Sequence, residues 1–127
     1  MYTSIAVAIG AIIVLRFLWK RWIFATIREV KGGHKPNITL PHDQPVELYF
    51  ADISSMSMKV RFALAAAQVD FKPNLVKLPA AGSFETKTAS YLHINPMGTV
   101  PVLVHDGHPV HDSCDQLLYI ADHLDRG

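Results

Sequence analysis

Three short groups of residues have the types and spacing for chemistry, and each stands where a helix or strand is expected to begin. Ser54 and Ser55, with Ser57 just beyond, precede an apolar run of helical period. Serine hydroxyls at that place accept from the free N–H groups of a helix start, so plain capping explains them. Val100-Pro101 is an X–Pro step, the one kind of peptide that becomes cis at modest cost. Asp112-Ser113 opens the last periodic run. A helix start offers unpaired N–H groups and positive potential, which suits a carboxylate as well as an ordinary cap. Two other groups are weaker candidates. Cys114 is the single cysteine, makes no internal disulfide, and is expected to pack buried in the helix start. His105, His108 and His111 straddle a turn with no cysteine beside them, so a solvated hairpin is expected and no metal.

The elements that must hold these groups follow from the period of the sequence. Val46-Glu47-Leu48-Tyr49-Phe50 is a short strand bounded by Pro45 and Asp52. Residues 58–68 form a helix, with Met58, Phe62, Ala65 and Ala66 at helical spacing. Residues 71–78 alternate as a second strand, with Pro73 favouring an edge. Strand, helix, strand implies a parallel pair. Ser83 or Thr86 opens a short helix carrying Tyr91 and Leu92, and Asn95-Pro96-Met97-Gly98 closes it as a turn. Residues 101–105 and 108–111 are two strands joined by Asp106-Gly107, a strong hairpin signal. Residues 112–124 form an amphipathic helix, with Leu117, Leu118, Ile120, Ala121 and Leu124 on its buried side.

Ahead of this domain the chain changes character. Ile5 through Leu15 is apolar, and the first basic residue is Arg16. As a helix, residues 1–18 would reach roughly 27 Å, the span of a thin bilayer. Trp19 and Trp22 beside Lys20 and Arg21 have the makings of an interfacial anchor, and Arg16 can snorkel. A cleaved signal would carry its positive charge before the apolar run, whereas Arg16, Lys20, Arg21, Arg28 and Lys31 follow it. The expectation is a single-pass anchor over 1–24. It suits a mitochondrial membrane, with the endoplasmic reticulum as the alternative. Residues 25–45, broken by Lys31-Gly32-Gly33 and by Pro36, Pro41 and Pro45, are expected to be a connector without chemistry, a disordered tail being the plainest reading.

The ordered words Leu48-Tyr49, Lys59-Val60-Arg61, Asn95-Pro96-x-Gly98-x-Val100-Pro101-x-Leu103, Asp106-Gly107 and Asp112-Ser113 carry a family resemblance. Residues 46–125 resemble the N-terminal, thioredoxin-like domain of glutathione transferases, closest in tone to zeta-class enzymes and ganglioside-induced differentiation-associated proteins. The resemblance implies an α/β fold of order βαβ-α-ββα. It implies a cis Val100–Pro101 peptide, with Val100 pairing strand-like with the cysteinyl part of glutathione. It also implies that Asp112 and Ser113 hold the γ-glutamyl end, although the family usually has Glu where Asp112 stands. Ser54 and Ser55 fall where the family places an activating hydroxyl or thiol. Zeta-class sequences read Ser-Ser-Cys there and this chain reads Ser54-Ser55-Met56, which argues against disulfide chemistry. Lys59 and Arg61 are expected only to solvate their helix face.

Half of the residues are apolar, 18% are charged, and the formal net charge is +1, so no basic field favours nucleic acid as a partner. Family members continue into a helical domain that walls the second-substrate pocket, and this sequence stops at Gly127. The leading expectation is therefore a membrane-anchored, non-catalytic accessory subunit of a larger complex. A protein partner would cover the face left without its helical companion. The alternatives are a membrane-tethered transferase or isomerase, and a glutathione-binding sensor.

Overall fold

The computed structural model describes residues 9–19, 32–78 and 84–125, and the chain divides into two compact units, Met1–Lys31 and Gly32–Gly127. In the first unit, α1 covers residues 9–19. At 1.5 Å per residue its described part rises about 16 Å, roughly half of a bilayer's hydrocarbon core. Among the described residues no helix is long and apolar enough to cross a membrane. That corrects the expected single-pass anchor, and the mitochondrial or reticular location falls with it. Residues 1–8 and the flank from Lys20 to Lys31, including Trp22, lie outside the described residues.

The second unit is built on a five-stranded mixed sheet of order β1-β5-β4-β2-β3. Its elements are β1 (Gly33–His34), β2 (Val46–Phe50), α2 (Ser55–Ala66), β3 (Lys72–Leu75), α3 (Ala89–Ile94), β4 (Val102–His105), β5 (His108–His111) and α4 (Ser113–Tyr119). A 3-10 turn, Glu85–Lys87, precedes α3, and a π-helical turn, Ile120–Leu124, extends α4. β2 and β3 are parallel, as their helical crossover demands, whereas β4 runs antiparallel to both β2 and β5. Asp106 and Gly107 join β4 to β5 with φ of 49° and 82°, the positive pair that a tight hairpin turn needs.

Alternation along the strands sorts the core onto two faces. Val46, Leu48, Phe50, Leu103 and Val110 point toward α2 and α4, where Val60, Leu64, Ile120 and Leu124 meet them. Val102 and Val104 point the other way and pack with Leu40, Val76 and Tyr91. The helix at 55–66 is present, but the residues that revealed it do not face the core. Met58 is 50% exposed and Phe62 is 77% exposed, while Ser57, Val60 and Leu64 are buried. The last helix departs in the same way: Leu118 is exposed at 64% and Ala121 is exposed, leaving Ile120 and Leu124 as the buried pair.

The connector is the larger departure. From Gly32 onward it belongs to the domain. Gly33 and His34 pair with His111 and Val110, which adds a strand outside β5. Beyond them the Lys35 N–H donates to the Pro109 carbonyl and the Leu40 N–H to the Gly107 carbonyl. The Leu40 side chain is buried. Glu47 secures the far end. Its carboxylate accepts from the N–H groups of Asp43 (2.6 Å) and Gln44 (3.2 Å) and from Asn74 Nδ2 (2.8 Å). Burial raises the Glu47 pKa, but these donors outweigh it and hold the carboxyl below its ordinary range. Residues 25–31 lie outside the described residues.

Candidate functional site

Val100 sits between two carbonyls that the surrounding elements hold fixed. On its N-terminal side the Thr99 carbonyl accepts from the Tyr91 hydroxyl (2.7 Å) and from Asn95 Nδ2 (2.8 Å). Asn95 in turn accepts the Met97 N–H through Oδ1, closing the Asn95–Gly98 turn. Burial pushes the Tyr91 hydroxyl pKa up, so it remains a donor across any ordinary pH. On the other side the Pro101 carbonyl accepts from Gln116 Nε2 at 2.8 Å, and the same amide donates to the Val110 carbonyl. The Val100–Pro101 peptide is cis, as its sequence context implied. Among the described residues, neither the N–H nor the C=O of the half-buried Val100 makes a hydrogen bond. Pinned neighbours and a free donor–acceptor pair amount to a short strand edge.

Asp112 and Ser113 stand at the start of α4. Asp112 caps the helix, its Oδ1 accepting from the Cys114 N–H at 2.9 Å. Its φ of 69° with ψ of 128° lies where non-glycine residues are strained, at a cost of about 1–3 kcal/mol. Ser113 is nearly buried, and its Oγ lies 3.5 Å from Met56 Sδ, across the space between α4 and α2. This contact and the Gln116–Pro101 bond bring the starts of both helices and the Val100 edge together.

The two serines ahead of α2 differ in what they do. Ser54 is the N-cap, its Oγ accepting the Ser57 N–H at 3.2 Å. Ser55, the first helical residue, is exposed, and among the described residues its hydroxyl has no hydrogen-bond partner. It borders a shallow groove of about 450 Å³ with Met58, Lys59, Phe62, Ala63 and Leu117. Ser57 is buried and accepts the Ala51 N–H. Of the family's helix charges, Arg61 stacks its guanidinium 4.6 Å from the Phe50 ring centroid and reaches Asp52, so it does more than solvate its face.

Two weaker candidates resolve differently from their expectations. Cys114 is exposed, because α4 turns its buried side through Ser113 and Gln116 instead. The hairpin histidines are engaged rather than solvated. His105 shares a hydrogen bond with the Tyr119 hydroxyl, His108 Nδ1 donates to the Ile38 carbonyl, and buried His111 donates from Nε2 to the Ile94 carbonyl. Among the described residues no group of three or more His, Cys, Asp or Glu side chains is placed to hold a metal ion. Sequence reasoning missed Gln116 and Met56. A glutamine on the core side of a helix, one turn before Ile120, was the available signal for the first; Met56 gave none.

Residues 53–123 match the family described as glutathione S-transferase, N-terminal domain. The chain belongs to that family. Among curated proteins it is similar to glutathione S-transferase 1 of Dianthus caryophyllus, 35% identical over 62% of this chain and 34% of that protein. It is also similar to a probable maleylacetoacetate isomerase of Drosophila melanogaster, 36% identical over 54% of this chain and 28% of that protein. Among solved structures it resembles the glutathione transferase URE2P8 of Phanerochaete chrysosporium, determined with oxidized glutathione. The TM-score is 0.59 and the identity 25%, over 67% of this chain and 38% of that one. The chain therefore spans about a third of the length of the relatives it matches. The thioredoxin-like fold expected of residues 46–125 is the fold observed.

Proposed function

We propose that this domain binds glutathione along the Val100 edge, with the start of α4 holding the γ-glutamyl end. The free N–H and C=O of Val100, set between two pinned carbonyls, are the observation that carries this reading. An extended thiol peptide answers such an edge with its own backbone pair. Ser113 would give its hydroxyl to the γ-glutamyl carboxylate, with the α4 N–H groups adding potential. Asp112, one methylene shorter than the family's usual glutamate, would face the amino group. Bound glutathione would supply a thiol nucleophile, and a hydroxyl donated to its sulfur favours the thiolate. Ser54 and Ser55 are the candidate donors, since the cap uses only a lone pair of the Ser54 oxygen and leaves its O–H to donate.

Titration of the isotope-labelled chain with reduced glutathione tests the reading. The Val100 amide resonance should move saturably at millimolar concentration or below, and Val100→Pro, which removes that N–H, should abolish the accompanying shifts of the Ser113 and Cys114 amides. An unmoved Val100 amide at 10 mM ligand would overturn it.

A second reading follows from the exposed apolar surface of α2 and α4, where Phe62, Met58 and Leu118 face solvent. In this reading the domain is a non-catalytic accessory subunit, and a protein partner seals that surface. Conjugation of a model electrophile separates the two. Turnover that is lost on Ser54→Ala or Ser55→Ala supports a transferase, whereas glutathione binding without turnover, in a particle well above monomer mass, supports the accessory role.

A further inference from the structure

The Ser113 hydroxyl donates to a thioether instead of to an oxygen. Met56 is the second residue of α2, and its side chain crosses to α4 so that Sδ lies 3.5 Å from Ser113 Oγ. Lys59 Nζ approaches the same sulfur at 3.7 Å from one turn further along α2. Met56 is 45% exposed, while Ser113 is only 9% exposed. A half-exposed side chain on one wall thus occupies the hydrogen-bonding group of the other. Methionine suits this position physically. It has three rotatable bonds and no branch, so it can withdraw without disturbing the helix. Its sulfur is also a weak acceptor, which a carboxylate readily outcompetes.

We propose that Met56 is a built-in competitor that occupies Ser113 until a carboxylate displaces it, and so weakens binding of γ-glutamyl ligands alone. This rests on the reading that the Val100 edge and the α4 start bind glutathione. A ligand whose γ-glutamyl carboxylate reaches Ser113 regains a stronger hydrogen bond than the one it breaks. A thiol peptide without that group gains nothing from the hydroxyl, and the thioether stays in place. Lys59, freed from the sulfur when Met56 swings out, adds a positive charge near the arriving carboxylate.

The test compares wild type, Met56→Ala and Met56→Leu in the full chain, titrated with glutathione and with cysteinylglycine, which lacks the γ-glutamyl part. Leucine keeps most of the volume and removes the acceptor. Binding is read from the Val100 amide, and Met56 itself from its methyl carbon resonance. Both variants should bind glutathione about threefold to tenfold more tightly than wild type, the range set by one modest hydrogen bond. Their affinity for cysteinylglycine should be unchanged, and the wild-type Met56 methyl should shift only with glutathione. Equal glutathione affinity in all three proteins, or the same gain for both ligands, overturns the proposal while leaving glutathione binding intact. If glutathione moves the Val100 amide in none of the three, the glutathione reading fails and the Met56 role fails with it.

Discussion

The β5 side of the sheet and the outer face of α2 and α4 dispose of their surfaces in opposite ways. Along β5 the chain supplies its own cover. The connector contributes β1, the Lys35 and Leu40 backbone hydrogen bonds, the buried Leu40 side chain and the Asp43 and Gln44 N–H groups that Glu47 clasps. On the helical face, Phe62, Met58 and Leu118 remain in solvent with nothing over them among the described residues. Apolar residues at regular spacing therefore do not by themselves mark the interior. Val60 and Leu64 already satisfy the sheet, so Met58 and Phe62 form a second stripe with no role in holding the domain together.

Four substitutions put that contrast to the test. The largest effect should come from Leu40→Ala, which empties a site closed on all sides and should cost about 2–5 kcal/mol in urea unfolding. A cost near zero would mean that the connector merely lies against the domain. Next is Glu47→Gln, expected to lose about 1–3 kcal/mol at neutral pH, since one oxygen that accepts becomes an amide that cannot. The sign with pH follows from the lowered pKa of Glu47. Its contribution is whole above the ordinary glutamate range and is lost as pH falls through the depressed value. The variant's stability should therefore vary less with pH between neutrality and pH 3 than the parent's.

A smaller effect belongs to His34, whose ring lies against Tyr119 and within reach of His108. Its pKa is lowered by burial first, then by the neighbouring His108, His123 and His105. The neutral form is preferred in the docked connector, so a penalty appears as pH drops below about 6.5. Amide exchange at Leu40 and Lys35, corrected for intrinsic chemistry, should be faster at pH 5.5 than at pH 7.5, and His34→Phe should remove the difference. The smallest effect is predicted for Phe62→Ser on the helical face. Stability should change by no more than about 0.5 kcal/mol, because the ring is exposed before and after unfolding. A large loss would show that this face is closed in solution by another copy or by chain beyond the described residues.

What could be read from the sequence follows the range of the interactions involved. The span of β2, the Asp106-Gly107 hairpin, the Asp112 cap and the Val100–Pro101 step depend on neighbours a few residues away, and all were legible. The connector was not. Its order comes from pairing with β5, more than seventy residues onward, and three prolines pointed to the opposite conclusion. The apolar start of the chain suggested a span, but the described helix there covers only residues 9–19. Within the site, Val100, Asp112 and Ser113 came from ordered motifs. Gln116 escaped because a buried amide shows its value only when both carbonyls it serves are in view.

Pro73 lies in β3 at the end of the sheet opposite the connector, paired with Leu48 and offering no N–H outward. One border of the sheet is thus interrupted by an imide and the other ends in β1, a strand of only two residues. Neither can serve as a template on which further molecules add strand by strand. Crowded solutions of this protein should therefore yield discrete particles that associate through helices, and resist growth into cross-β fibrils.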